Sequence, residues 1–319
     1  MNNNKTKIAF MGSSEFAVPA LDALWDAGYR ITAVVTQPDR ARGRGGKIRP
    51  TPVGRFAEEA GIPMLKPEYL KGNEEFMRAL RDAAPDLIVV VAYGKILPKL
   101  LLDIPPLGCV NIHASLLPEY RGAAPIQREI LDGKSEVGVT LMYMNEGLDA
   151  GDIIAVAKTN ASGKNAGELT EALADLGAEL LLDKLPLLGT CMAPRIPQDE
   201  TKATYAEKIE KIEGHIDFSK SAEEIALRVR AMTPVPGAYI IGDGERIGIT
   251  AARALDPDAG INKAYDTAPH GTVLDISNRG IAVQAGEGVV LIEAIKMPGR
   301  KAMPVAEYLK GNTFDYMSL

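Results

Sequence analysis

In the first two-thirds of the chain, short apolar runs take turns with stretches of helical periodicity. No other feature constrains the fold as strongly. Lys7 to Met11 reads as a strand, Phe16 to Ala27 carries apolar residues at helical spacing, and Ile31 to Thr36 reads as a second strand. Gly28 stops the intervening helix as a C-cap does. The pattern continues through helices around Arg55 to Ala60 and Glu74 to Ala83, the strand Asp86 to Ala92 and a strand ending at His113. Ala124-Pro125 then opens a helix through Leu131, followed by strands Val137 to Met144 and Asp152 to Ala157 and a long amphipathic helix, Glu168 to Leu188. Strands that alternate with helices in this way predict an α/β domain built on a doubly wound, mostly parallel sheet covered on both faces.

The character then changes. Gly189 to Pro197 is rich in Gly and Pro and reads as a linker. Beyond about Glu210, one helix, Ala222 to Met232, precedes short strands separated by Gly and Asp turns: Ala238 to Ile241, Arg246 to Ala251, Gly271 to Ile276, Gly280 to Ala285 and Val289 to Ile295. That spacing predicts a small C-terminal β-barrel, and a five-stranded OB-like barrel fits the count. At 319 residues the chain exceeds one typical core, so the expected division is a first domain over residues 1–192, a linker over 193–211 and a second domain over 212–319.

A hydrophobic fraction of 46% with 24% charged residues belongs to an ordinary soluble globular protein. The longest apolar stretch, Leu87 to Ala92, is far too short to span a membrane. Residues Met1 to Lys7 run directly into the first strand with no apolar signal core, so no secretory signal and a cytoplasmic location are expected. The net charge of −6 argues against indiscriminate nucleic-acid binding; any such contact needs a local patch. Two separated cysteines, Cys109 and Cys191, and three histidines give no plausible zinc cluster, so no metal is expected, and Cys109 reads as a buried strand residue.

Within Cys109-Val110-Asn111-Ile112-His113, the period of a strand sends Asn111 and His113 to one face. An amide there can hydrogen-bond a developing oxyanion and a neutral imidazole can manage protons, which suits acyl transfer to an amine. Asp149, in the turn Glu146-Gly147-Leu148-Asp149-Ala150-Gly151-Asp152, can hold His113 in one tautomer or stabilise its protonated form. Taken one at a time, the same residues also read as strand-end caps and a turn. Gly12-Ser13-Ser14 does not complete GxGxxG, which leaves a dinucleotide-binding dehydrogenase as a minor alternative.

Between the second strand and the next helix, Gln37 to Pro52 gathers Arg40, Arg42, Arg44, Lys47 and Arg49 against the single acid Asp39. Its glycines and prolines disfavour a helix, so a long exposed loop is expected. Its guanidinium groups suit phosphate or RNA backbone, while a solvated surface loop is the plain alternative.

Asn111-x-His113-x-Ser115-Leu116-Leu117-Pro118, the continuation Tyr120 to Gln127 and the turn Gly147-Leu148-Asp149-x-Gly151-Asp152 resemble the methionyl-tRNA formyltransferases. The resemblance runs from Phe10-Met11-Gly12 through Gln37-Pro38-Asp39-Arg40 and Val91-Ala92-Tyr93-Gly94 to Met297-Pro298-Gly299-Arg300-Lys301-Ala302-Met303. The Asn/His/Asp and Ser-Leu-Leu-Pro elements alone are shared with the wider group of 10-formyltetrahydrofolate-dependent transformylases, including those acting on glycinamide ribonucleotide and amino sugars. The Arg-rich loop and the C-terminal barrel narrow the resemblance to the tRNA enzymes. It implies a Rossmann-like catalytic domain and an OB-like tRNA-binding domain in one chain, expected to be a monomer. It also implies 10-formyltetrahydrofolate as formyl donor and initiator methionyl-tRNA as acceptor. By it, Asn111, His113 and Asp149 are catalytic, and Ser115, Leu116, Leu117, Pro118, Tyr93, Gly94, Ile96 and Leu97 line the folate site. Arg40, Arg42, Arg44, Lys47 and Arg49, with a stripe of Lys296, Arg300 and Lys301, meet the tRNA. Ala41-Arg42 departs from the family's usual Pro-Ala, Gly46 stands where lysine is common, and Phe218 stands where Trp is frequent. A small amino-sugar or ribonucleotide acceptor, or an idle RNA-binding protein on the same domains, are the remaining readings.

Overall fold

The structure is a computed structural model and describes residues 6–42, 46–242, 244–255 and 268–316. It falls into two compact units. One comprises Met1–Pro125, Glu136–Asn160 and Thr170–Ala206, and the other Ile126–Ser135, Ala161–Leu169 and Glu207–Leu319.

The first unit opens with β1 (Lys7–Gly12), α1 (Val18–Asp26) and β2 (Arg30–Val35). Pro19 lies in the first turn of α1, where its missing N–H costs nothing. Gly28, with φ of +74°, ends the helix by donating to Trp25 O at 2.9 Å. The basic segment is not an irregular loop: β3 (Arg40–Arg42) and β4 (Lys47–Arg49) pair antiparallel, Arg40 opposite Arg49 and Arg42 opposite Lys47. Gly46, with φ of +62°, takes the left-handed backbone just before β4. Thr51 caps α2 (Pro52–Glu59), its hydroxyl accepting from Gly54 N at 2.9 Å.

β5 (Met64–Leu65), α3 (Glu74–Asp82), β6 (Leu87–Val91), α4 (Lys99–Leu102) and β7 (Cys109–His113) follow. Then come β8 (Arg121–Gly122), α5 (Pro125–Leu131), β9 (Glu136–Tyr143), β10 (Ile153–Asn160), α6 (Ala166–Leu188) and β11 (Tyr205–Ala206); all of α5 but Pro125, and α6 through Leu169, belong to the second unit. The main sheet has the order β10-β9-β7-β6-β1-β2-β5. Pairs from β7 through β5 are parallel, whereas β9 runs antiparallel to both β7 and β10. All five residues of β6, Leu-Ile-Val-Val-Val, are buried, as a strand covered on both faces requires. Edge strand β10 instead alternates half-buried and exposed positions along most of its length. Met11, Val35, Leu80, Ile88, Val90, Leu101 and Cys109 belong to one core cluster, in which each fully buried aliphatic side chain contributes about 1.5–3 kcal/mol.

The second unit contains α7 (Ala222–Met232), closed at its start by a reciprocal capping box between Ser221 and Glu224. It also contains β12 (Ala238–Gly242), β13 (Glu245–Ala254), β14 (Val273–Ser277), β15 (Gly280–Gln284), β16 (Val289–Lys296), β17 (Met303–Pro304) and the short α8 (Val305–Tyr308). The five expected strands form one antiparallel sheet in the order β12-β13-β16-β15-β14, and β17 adds a sixth against β16. Among the described residues the ladder runs from β12 at one end to β14 at the other.

Candidate active site

The parallel strands bring their C-terminal ends to one edge. From β1 the chain winds through β2 to β5 on one side, then returns as β6 and β7 on the other, so the topological switch lies between β1 and β6. Open α/β sheets leave a crevice for ligands at such a point. Asn111 and His113 stand on β7 at this edge, opposite Met142 and Thr140 of β9. Both are buried, at 9% and 6% exposure.

Asp149 reaches His113 from the β9–β10 connection. Asn145 shapes that turn, accepting from Gly147 N at 2.9 Å and donating to Ala150 O at 3.2 Å, and Asp149 adopts φ of +48°. Its Oδ2 accepts the Gly122 N–H at 2.9 Å and lies 3.6 Å from His113 Nδ1. The other ring nitrogen, Nε2, is 2.9 Å from Tyr120 O. A carbonyl oxygen only accepts, so Nε2 carries a proton and Nδ1 is left to exchange one beside the carboxylate. The Nδ1–Oδ2 separation exceeds a hydrogen bond, so Asp149 acts on the ring through space.

Ser115 has no exposed surface and its hydroxyl donates to Glu119 O at 2.6 Å. Thr140 Oγ1 donates to Ser115 O at 2.7 Å and accepts from Leu117 N at 3.1 Å. These bonds tie the Ser115–Pro118 segment, with its cis Leu117-Pro118 bond, to β9. Leu116 and Pro118 stay half-buried at the surface of that segment. Beyond β6, Tyr93 and Leu97 pack into the core cluster, while Ile96 is 83% exposed. Burial pushes the Tyr93 phenol up to about 12. Its hydroxyl has no hydrogen-bond partner among the described residues, and its carbonyl accepts from Gln37 Nε2 at 2.8 Å. Ala92 and Gly94 have φ of +45° and +78°, so the chain turns sharply off the sheet at the edge where β7 ends.

Arg40 and Arg49 are exposed on the β3–β4 hairpin, Arg42 and Lys47 are backbone partners across it, and Arg44 lies outside the described residues. Lys66 pairs with the segment's acid, Asp39, at 2.8 Å. In the second unit, Lys296 ends β16, and Arg300 and Lys301 follow in the exposed turn before β17. Among the described residues no group of three or more His, Cys, Asp or Glu is placed to hold a metal ion, and no helix is long and apolar enough to cross a membrane. A cleft of 570 Å³ lined by Lys7, Arg81, Asp86 and Asp103 opens at the N-terminal edge of the strands, away from Asn111 and His113.

Residues 6–185 match the family Formyl transferase, and residues 208–313 match Formyl transferase, C-terminal domain. The methionyl-tRNA formyltransferase of Moorella thermoacetica is 46% identical over 306 residues, covering 96% of each chain. That of Clostridioides difficile is 44% identical over 310 residues, 97% of this chain and 98% of the relative. The chain belongs to the methionyl-tRNA formyltransferase family. This formyltransferase shares its fold with WlaRD, a sugar 3N-formyl transferase, at a TM-score of 0.66 and 17% identity over 93% of this chain and 99% of that one. HypX from Aquifex aeolicus, solved with tetrahydrofolic acid, gives a TM-score of 0.62 at 18% identity over 98% of this chain and 51% of that one.

Several supports of the formyltransferase site have roles that the sequence does not declare, although Tyr120 to Gln127 carry part of the family resemblance. The Tyr120 carbonyl, the Gly122 N–H and Thr140 hold His113, Asp149 and the Ser115–Pro118 segment in place. Two of the three act through backbone atoms, for which side-chain identity gives no signal. Arg121 and Gln198 are hydrogen-bonded to each other but stand far apart in the chain.

Proposed function

We propose that the chain transfers a formyl group from 10-formyltetrahydrofolate to the α-amino group of methionyl initiator tRNA, working in the cytoplasm as a monomer. The observation that carries this reading is the convergence of Asn111, His113 and Asp149 at one sheet edge in a chain whose relatives are named methionyl-tRNA formyltransferases. The formyl donor is a second substrate and supplies the activated one-carbon unit. The segment after β6 fits it: the backbone turns off the sheet at Ala92 and Gly94 and leaves Ile96 exposed, and β6 is the parallel neighbour of β7, which Leu116 and Pro118 follow.

The neutral amine attacks the formyl carbon, and negative charge develops on the formyl oxygen. Asn111 donates to that oxygen, a contribution of about 3 kcal/mol for a well-placed donor, and His113 adds a second donor only once Nδ1 has taken the amine proton. His113 takes the amine proton at Nδ1 and passes it to the departing nitrogen, while Asp149 stabilises the charge on the ring during the transfer. The amine is itself a competent nucleophile, so no covalent enzyme intermediate forms. The buried Ser115 hydroxyl, committed to Glu119 O, supports that assignment.

The exposed arginines of the β3–β4 hairpin serve tRNA binding, as do Lys296, Arg300 and Lys301. Because Lys66 already pairs with Asp39, that acid does not offset the hairpin's positive charge. Replacing Arg40 and Arg49 together with Ala raises the apparent KM for tRNA and leaves kcat intact. It also flattens the slope of log kcat/KM against log salt by about 0.7–0.9 for each phosphate no longer neutralised. An equal loss with a free methionyl ester as acceptor would place the hairpin in the chemistry instead. The function itself is tested by incubating the chain with 10-formyltetrahydrofolate and methionyl initiator tRNA and assaying formylmethionine, with elongator tRNA and donor-free controls. Formylation of an amino sugar nucleotide in place of the tRNA would overturn it.

A further inference from the structure

The turn that carries Asp149 has left-handed backbone at Asp149 itself, and Asn145 is not the only side chain that holds it. Gln198, from the segment between α6 and β11, donates from Nε2 to both Asp149 O and Gly151 O, each at 2.8 Å. Both amide hydrogens are thereby spent on the turn. The amide's other end is set by Arg121, whose Nε and Nη2 donate to Gln198 Oε1 at 3.1 and 2.8 Å. A guanidinium has only donors, so it forces Oε1 toward itself and Nε2 toward the Asp149 turn.

Arg121 is only 2% exposed, and Glu200 fixes it further through bonds at 2.9 and 2.7 Å. That pairing raises the guanidinium's pKa and holds the Glu200 carboxyl below the usual carboxylate range. Backbone bonds clamp the same stretch: Arg121 N donates to Thr204 O at 2.9 Å, and β8 pairs with β11. The neighbours of Arg121 touch the reacting groups directly, Tyr120 O through His113 Nε2 and Gly122 N through Asp149 Oδ2. One residue therefore sits between the supports of both.

We propose that Arg121 and Gln198 are positioning residues for formyl transfer: Arg121 orients the Gln198 amide, and the amide locks the Asp149 turn at its distance from His113. This rests on the catalytic roles proposed for His113 and Asp149. The segment around Gln198 is thus part of the site's scaffold as well as a connection toward the C-terminal sheet.

The test uses the full chain with Gln198→Leu and Gln198→Glu. Leucine removes both bonding directions. Glutamate still accepts from Arg121 but cannot donate to the two carbonyls, so it isolates the contact with the turn. Both variants should lose about 10- to 100-fold in kcat, with KM for donor and tRNA unchanged, because a small displacement of a reacting group costs rate and not binding. In an Asp149→Asn background the same substitutions should cost far less, since their effect runs through that side chain's charge. Wild-type kcat in Gln198→Glu, or a full-size loss retained in the Asp149→Asn background, would overturn the proposal. If Gln198→Leu fails to fold, Gln198→Glu, which keeps Arg121 paired, decides. A wild-type chain that makes no formylmethionyl-tRNA overturns the functional reading; an active wild type with unimpaired Gln198→Glu overturns only the positioning role.

Discussion

His113→Ala lowers kcat for formyl transfer by about 10²- to 10⁴-fold, the usual contribution of a positioned general acid–base, while the apparent KM for tRNA stays unchanged. The cost to folding is small by comparison. The ring is hydrogen-bonded from Nε2 to Tyr120 O, and removing such a bond costs about 1 kcal/mol. Asp149→Asn separates charge from shape. An asparagine oxygen can still accept the Gly122 N–H that Asp149 Oδ2 now takes, so the turn persists while the negative charge 3.6 Å from His113 Nδ1 disappears. A fall in kcat of about 10²-fold or more is expected, because stabilisation of developing charge in a water-poor site is the term being removed. Single-turnover rates with folded variants check both. Near-normal turnover in either variant would remove that residue from the mechanism.

Gly151→Ala is expected to damage stability and catalysis together. A Cβ on this buried glycine would run into the carbonyl oxygen of Tyr143, and the atom in the way is backbone, so no side-chain rotation relieves it. Tyr143 N is bonded to Asp152 O at 2.9 Å, and Gly151 O accepts from Gln198, so the turn is held on both sides of the added methyl. The backbone must shift, at a cost of about 1–3 kcal/mol. Asp149 lies two residues away and moves with it, and a displacement near 1 Å costs about 10² in rate. Gly311→Ala, which meets nothing within 4 Å, is the neutral control. Denaturant midpoints and kcat check the pair, and a Gly151→Ala chain with wild-type kcat would show that the turn tolerates movement.

Much of this arrangement is legible in the sequence where a local pattern carries it. The Leu87 to Val91 run declares a strand buried on both faces, Gly28 marks the end of α1, and the two-residue spacing of Asn111 and His113 puts both at one strand end. Strand direction is less accessible. Nothing in Glu136–Tyr143 says that β9 enters antiparallel, because direction follows from the route of the chain and not from the residues of the strand. The pairing of β3 with β4 is hidden because strands of three residues carry too little pattern to be read. The polar support of Asp149 is the least visible part. Arg121 and Gln198 are 77 positions apart, and the atoms they connect to in the turn are main-chain oxygens that every residue possesses.

The most direct test follows a labelled formyl group through one turnover. Enzyme in excess is mixed with methionyl initiator tRNA and 10-formyltetrahydrofolate carrying the label, quenched on the timescale of kcat, and separated into protein, tRNA and free formate. The expected result is label passing from the donor to methionine on the tRNA at the single-turnover rate, with none held by the protein, and the same transfer slowed in His113→Ala. Label trapped on the protein, or released as formate without reaching methionine, would contradict direct attack by the amine in the site of Asn111, His113 and Asp149.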